Sequence, residues 1–397
     1  MKKLLLATAL TAVASSSAFA ASHGNTVKIG VLLGFTGPIE SLTPQIAGGA
    51  EIAINEVSNS GKLLGGAMVE AVRADSTCVD SAAATAAAER LITAEGVAAI
   101  MGADCSGVTG AVLANVAVPN GVVMISPSAT SPALTTAEDN GLFFRTAPSD
   151  ARQGEVMADI LMERGITSVA VTYTTNDYGK GLADSFVASY AAAGGTVTLS
   201  ASHEDGKADY AAEVGALASA GGDALVVAGY VDQGGAGIIQ AALDAGAFET
   251  FVLPDGMISD ALTDKFGKDI DGSFGQLAGT DSPGAAKYAE MVGDAFDPTS
   301  PYASEAYDAA ALLLLAMQAA GSSMSADFKD KVEMVANAPG EPIYPGELGK
   351  ALEILAAGGD IDYVGATDVE LIGPGENAGS YREIEVKDGV ITTVKYR

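Results

Sequence analysis

Val97-Ala98-Ala99-Ile100-Met101-Gly102-Ala103-Asp104-Cys105-Ser106-Gly107 carries an apolar run into a small polar corner and on into a helix. Val97–Met101 reads as a β-strand and Gly107–Val116 as the helix after it. The same alternation extends in both directions. Val27–Leu33, Ala67–Arg73 and Val122–Ile125 read as further strands, and Pro44–Ser58 and Ser81–Ala94 as the helices between them. Ile46, Ala50, Ala53, Ile54 and Val57 fall on one side of the first helix. The order β-α-β-α-β-α-β predicts an α/β fold, a parallel sheet with helices on both faces and right-handed crossovers.

The pattern restarts after residue 150. Helices are expected at Ala151–Arg164, Lys180–Ala193, Tyr210–Ala220 and Gly234–Ala245, and strands at Ser168–Tyr173, Thr196–Ser200, Ala224–Ala228 and Phe251–Leu253. The last third turns helical at Ala285–Phe296, Ser304–Ala320, Ala326–Ala336 and Glu347–Ala357. Two short strands, Arg382–Lys387 and Val390–Tyr396, close the chain around Asp388-Gly389, a hairpin signal. The length exceeds what one hydrophobic core usually serves. Two lobes with parallel sheets are expected, 26–147 with 281–364 and 148–280 with 365–397. The chain then crosses three times, near Thr146–Ser149, Gly279–Pro283 and Val364–Thr367, which makes a three-strand hinge rather than a tether.

Residues 1–20 read as an export signal. Met1-Lys2-Lys3 is the positive start, Leu4 to about Val13 the apolar stretch, and Ala18-Phe19-Ala20 the cleavage site. That stretch and Ala309–Ala316 are both too short to span a bilayer. The periplasm is the expected location. Cys78 and Cys105 are the only cysteines. In an exported chain such a pair reads as one disulfide, bracing the corner at Cys105. The formal charge is −29, with 50 acidic and 21 basic residues. Nucleic acid and anionic lipid are poor partners for such a chain. The acidity reads as a solubility adaptation, or as a surface for a basic partner.

Catalytic patterns are scarce. His23 and His203 are the only histidines, and Ser202-His203-Glu204-Asp205 reads as a strand end or solvated loop. There is no HExxH, no GxSxG and no short Cys spacing for zinc. Gly179-Lys180-Gly181 lacks the remainder of a P-loop, and Gly234-Gly235-Ala236-Gly237 lacks the third glycine of a dinucleotide fingerprint. No metal, no cofactor and no enzymatic activity are expected.

In open α/β sheets ligands bind beyond the C-terminal ends of strands. Here those ends carry Asp104-Cys105-Ser106, then Ser126-Pro127-Ser128-Ala129-Thr130-Ser131-Pro132, then Asn176-Asp177-Tyr178, Gly229-Tyr230 and Pro254-Asp255-Gly256. Ser106 and Ser131 read as caps of the helices that follow, where unpaired N–H groups suit a carboxylate. Tyr178 and Tyr230 read equally as rim-packing aromatics, and Asp255 as a turn former. Taken jointly, one lobe offers hydroxyls and N–H groups, the other two tyrosines and a carboxylate. That set suits a zwitterion.

These segments resemble a known family. Val27-Lys28-Ile29-Gly30 with Thr36-Gly37-Pro38, Asp75-Ser76-Thr77-Cys78, Gly102–Ser106, Ile125–Pro132, Asp177–Gly181 and Tyr307-Asp308-Ala309-Ala310 stand in the order and spacing of the periplasmic leucine/isoleucine/valine-binding proteins. These are the type I solute receptors of ABC importers, and the resemblance covers about residues 26 to 395. It implies two Rossmann-like lobes, three crossovers and a Cys78–Cys105 bond. It implies a ligand set of Ser106, Ser128, Ala129, Thr130, Tyr178, Tyr230, Asp255 and Tyr302. Ser106 and Thr130 would hold the ligand carboxylate, and Ser128 would offer its carbonyl to the ammonium. Tyr178 and Tyr230 would close over the ligand, Asp255 would pair with the ammonium, and Tyr302 would wall the side-chain pocket. Three departures stand out: Asp255 where leucine receptors carry Glu, no aromatic in Ile39-Glu40-Ser41-Leu42, and an added segment near 338–360.

The reading is a monomeric periplasmic receptor that takes an aliphatic amino acid or close analogue by clam-shell closure and docks on an ABC permease. Rival readings are the same fold binding a short amide, urea or aromatic acid, an extracytoplasmic sensor, and a hydrolase with a base near Ser106 or Ser128.

Overall fold

The computed structural model describes residues 26–397. The export signal and His23 lie outside the described residues. Five parallel strands form a first sheet: β1 (Thr26–Leu33), β2 (Met68–Asp75), β3 (Ala99–Gly102), β4 (Met124–Ser126) and β5 (Phe143–Arg145), in the order β2-β1-β3-β4-β5. β6 (Ser168–Thr174), β7 (Thr196–His203), β8 (Ala224–Ala228), β9 (Phe251–Pro254) and β10 (Phe274–Ala278) build a second. Two small ribbons follow, β11 (Glu341–Ile343) with β12 (Ile361–Tyr363), and β13 (Leu371–Ile372) with β14 (Glu376–Asn377). The hairpin β15 (Tyr381–Lys387) and β16 (Val390–Tyr396) then adds antiparallel to the second sheet, giving β16-β15-β10-β9-β8-β6-β7. Both orders reverse direction at one point, between β1 and β3 and between β6 and β8. Ligands collect at such switch points.

Two strands of the main sheets escape sequence reading, as do the four short strands of the ribbons. β5 is only three residues long. β10 has Gly275 and Gln276 in place of an apolar run, yet both are buried. The helix expected at Ala326–Ala336 breaks into Ser325–Phe328, a tight turn Lys329–Lys331 and Val332–Ala336.

Local signals set the first helices. α1 (Thr43–Ser60) begins with Pro44 in its first turn and ends on Gly61, left-handed at φ 63°. α2 (Ser81–Arg90) is capped by Asp80, which accepts from the N–H groups of Ala82 and Ala83. α3 (Ser106–Val112) continues as a wide turn to Ala117. The helix Ala303–Ala320 is buried along most of its length and is core of the first unit, packed on α1. No single helix among the described residues is long and apolar enough to cross a membrane.

Two of the three segments expected to cross between the lobes, near Thr146–Ser149 and Gly279–Pro283, lie beside Asn377–Ser380, whereas the third was expected at Val364–Thr367. Pro148 bridges Asn377, whose side chain donates to the Thr146 carbonyl, and Gly279 N–H donates to the Ser380 carbonyl at 3.0 Å. Asp308, fully buried, accepts from Tyr363 Oη, from the N–H groups of Ala366 and Thr367 and from the Thr367 hydroxyl. Burial pushes its carboxyl up to about 6.

The structure corrects the reading of His203. It is 1% exposed, not solvated, with Nδ1 at 2.8 Å from the Thr172 hydroxyl. Burial pulls its imidazole down to about 4. The polar Glu204-Asp205 that follows disguises a strand residue pointing inward.

Candidate functional site

A cavity opens where the two switch points face each other. The loop after β1 supplies Ile39 and Leu42, and α1 supplies Ile46. The corner after β3 supplies Asp104, Cys105 and Ser106, and the loop after β4 supplies Ser128. From the second sheet come Tyr178 after β6, Tyr230 after β8, and Asp255 with Gly256 after β9. Tyr302, just ahead of the helix Ala303–Ala320, completes the wall. Measured for the centre of a water molecule, the free volume is about 30 Å³. One water needs roughly 10–15 Å³ on that measure, so the cavity suits a compact solute.

Asp255 is the polar centre. It opens a short turn, Asp255–Met257, and is 2% exposed. Oδ1 accepts from Tyr178 Oη at 2.8 Å and from Gln153 Nε2 at 2.9 Å, and Oδ2 accepts from Tyr302 Oη. Burial and the Asp255 charge push both phenols well above the usual tyrosine range, so they stay neutral donors. Tyr178 sits in the first turn of a helix capped by Asn176, which accepts from Gly179 N–H at 2.9 Å. Its ring stacks on Tyr230, centroids 5.1 Å apart. Tyr302 holds φ 63°, a strained value for a bulky residue. Gly256 admits Tyr178: a Cβ there would lie 2.6 Å from the Gly229 carbonyl and 2.9 Å from Tyr178 Oη.

Two more buried carboxylates lie around it. Asp104 accepts from Gly34 N–H at 2.5 Å and from the Ser76 hydroxyl and Cys105 N–H at 3.0 Å, and burial raises its carboxyl. Asp150 is fully buried, with Oδ2 accepting from the Thr130 hydroxyl at 3.0 Å and Oδ1 without a partner. Burial first, and the nearby Asp255 charge second, push it well above the usual carboxylate range.

The disulfide joins Cys78 to Cys105 with the Cα atoms 5.1 Å apart. It ties the end of β2 to the corner that holds Asp104 and Ser106. Ser106 is not a cap. It lies inside α3, and its hydroxyl accepts from Ser131 N–H at 3.1 Å. Ser131 does cap the turn Pro132–Thr136. Ser128 Oγ donates to the Asp104 carbonyl at 3.0 Å.

Of the eight residues read from the sequence, six line the cavity: Ser106, Ser128, Tyr178, Tyr230, Asp255 and Tyr302. Ala129 and Thr130 do not. Ala129 N–H donates to the Ser126 hydroxyl, and its carbonyl accepts from Arg145. The Thr130 hydroxyl is turned to Asp150. Sequence reading missed Gln153 and Asp150, which lie on a helix with no motif around them. It quoted Asp104 without a role, and it noted Ile39 and Leu42 only for the aromatic they replace. Arg145, 1% exposed, braces the loop from behind by donating to the carbonyls of Ala129 and Ser131 and by pairing with Glu376.

The chain matches the periplasmic binding protein family over residues 26–345. It is 33% identical over 225 residues to Leu/Ile/Val-binding protein homolog 3 of Brucella melitensis, covering 56% of this chain and 60% of that one. It is 30% identical over 391 residues to BasB of Halobacterium salinarum, a substrate-binding protein of a chemotactic signal transduction system, covering 93% and 89%. In fold it matches the leucine binding protein LivK of Thermotoga maritima, with TM-score 0.79, 24% identity and coverage of 93% and 98%. It also matches an ABC transporter solute binding protein of R. palustris in complex with benzoate, with TM-score 0.75, 20% identity and coverage of 94% and 96%. The chain therefore belongs to the periplasmic binding protein family, in the leucine/isoleucine/valine-binding group of type I solute receptors.

Proposed function

We propose that this protein captures a small aliphatic amino acid, or a close analogue, in the periplasm and delivers it to an ABC permease. The observation that carries this reading is Asp255, a buried carboxylate facing a compact cavity whose other walls are Asp104, Cys105, hydroxyls, tyrosines and the apolar side chains of Ile39, Leu42 and Ile46. A ligand ammonium would meet Asp255 and the faces of Tyr178 and Tyr230. Its carboxylate would meet Ser106 and the N–H groups at the start of α3. Its side chain would lie on Ile39, Leu42 and Ile46.

The lobes of this reading are 26–147 with 281–364 and 148–280 with 365–397, hinged where the chain crosses between them, and the protein works as a monomer. Ligand settles on the first lobe and the second closes over it, as far as its preference for the closed state allows. The receptor is not a hydrolase on this reading. Ser128 donates its hydroxyl to the Asp104 carbonyl, and His203, the one histidine among the described residues, does not line the cavity to serve as a base for Ser106.

The fold alone does not choose the ligand, since the R. palustris protein holds benzoate. Asp255 argues against an aromatic acid here, because two carboxylates would meet with no ammonium between them. Titration calorimetry against aliphatic amino acids, their desamino acids, short amides and benzoate tests the reading. Binding that needs both the α-ammonium and the α-carboxylate supports it. Preference for benzoate or an uncharged amide overturns it. The likeness to BasB over 93% of the chain favours a second reading, in which the closed receptor reports to a chemotaxis partner. Uptake of labelled ligand in a strain lacking the protein separates the two: transport falls on the first reading and is unchanged on the second.

A further inference from the structure

Two cavities away from the site just described, of about 280 and 290 Å³, share Thr299, Ser300 and Arg382 in their walls. Arg382 stands on β15, opposite Leu277 and Tyr396. It is 9% exposed. Its Nη2 donates to the Thr299 carbonyl at 2.9 Å, one bond for a group with five N–H donors. The chain has seven arginines, and the other six each have a carboxylate within 4.0 Å. Arg382 has none among the described residues, although acidic residues outnumber basic ones by 50 to 21.

A buried cation without a counter-charge is costly, and proteins pair such groups almost without exception. The carboxylates that act on Arg382 are otherwise engaged. Asp297 accepts from the N–H and hydroxyl of Thr299, and Glu305 accepts from the Ser304 hydroxyl. Asp281 lines the first cavity, and Asp260 and Asp264 line the second, all three on exposed positions. Around the guanidinium the first cavity offers small hydroxyl donors instead: Thr280, Ser282 and Ser300.

We propose that Arg382 and these hydroxyls hold a small monovalent anion of the halide class, at a site separate from the ligand cavity. The anion supplies the counter-charge that the chain withholds. It would also fasten the segment Thr299–Ser300, just ahead of Tyr302, to the second sheet.

Thermal unfolding at fixed ionic strength tests this, with sodium chloride replacing sodium gluconate stepwise. The wild type should show a saturable rise in melting temperature with chloride. Arg382→Gln should show none, and Arg382→Lys a weaker one. Should Arg382→Gln fail to fold, Ser300→Ala serves, and it should shift the half-saturation to higher chloride. Bromide-soaked wild-type crystals should show anomalous density within hydrogen-bond reach of the guanidinium. Equal chloride responses in wild type and variants overturn the proposal. So does bromide absent from Arg382, or present at crystal concentration only with no saturable response in solution.

Discussion

The backbone N–H of Ser41 donates to Asp232 Oδ2 at 2.8 Å, and the N–H of Asp232 donates back to the Pro38 carbonyl at 3.1 Å. The first residue follows β1 and the second follows β8, so the pair clasps one sheet to the other at the mouth of the cavity. Asp232→Ala removes the carboxylate arm of the clasp. Ligand affinity should fall by about 1.5–3 kcal/mol, the worth of a hydrogen bond to a charged group, with melting temperature nearly unchanged. Calorimetric titration checks this. An unaltered dissociation constant would mean that the clasp does not bear on closure.

Asp255→Asn keeps the shape of the site and removes its charge. Tyr178, Tyr302 and Gln153 all donate to the carboxylate, and an amide offers one acceptor instead of two. An amino-acid ligand should lose roughly 2–4 kcal/mol of binding, and its desamino analogue much less. Parallel titrations of the two ligands decide it. Equal losses would show that the variant damages the pocket rather than an ammonium contact.

Much of this was legible because the site sits where strands end. Tyr178, Tyr230 and Asp255 each stand within a few residues of the end of an apolar run, so the run locates them before any contact is known. Asp150 and Gln153 follow β5, whose three residues are too few to read as a strand. They reach the site because their helix packs beside it, which a one-dimensional pattern does not record. β10 was lost for a related reason: Gly275 and Gln276 are polar or featureless in sequence and are buried only by the strands on either side. The positions of Ser106 and Ser131 were clear, but only Ser131 is a cap. Local capping logic assigns a cap to each, whereas the fold spends Ser106 on the N–H of Ser131.

Gly49 in α1 lies against the start of the helix Ala303–Ala320. A Cβ there would stand 1.9 Å from the Ala303 carbonyl oxygen. Gly49→Ala should destabilise the fold by about 1–3 kcal/mol through overpacking. Because Ala303 directly follows the strained Tyr302, ligand affinity should drop as well. A control of equal stability loss, Val214→Ala in the second unit, should leave affinity intact. Urea unfolding and titration of both variants provide the test, and equal affinities would detach Tyr302 from this helix contact.

The Cys78–Cys105 bridge closes a loop with a sequence separation of 27. On the chain-entropy account such a loop contributes about 3–4 kcal/mol. Replacing both cysteines by serine should cost that much in urea unfolding. It should also weaken ligand binding, because Cys105 lines the cavity. Intact mass after thiol blocking gives the prior check, and two blocked thiols in native protein would refute the bridge.

Glu305 sets the sign of the pH response near the hinge. It is 2% exposed, and burial pushes its carboxyl up from 4.5 to about 7. Between those two values the folded protein keeps a proton that the unfolded chain releases. Stability from this group is therefore complete below the unfolded value and falls as pH rises toward 7. Glu305→Gln mimics the protonated form and removes that slope. The variant should match wild type at pH 4 and exceed it by on the order of 2–3 kcal/mol at pH 8, the difference opening between about 4.5 and 7. His203, lowered to about 4, gives the opposite slope between its ordinary 6.5 and that value. It does so in both proteins, so it cancels from the comparison. Urea unfolding at pH 4, 6 and 8 measures the difference, and a variant less stable than wild type at pH 8 would mean that the folded state favours the charged carboxylate.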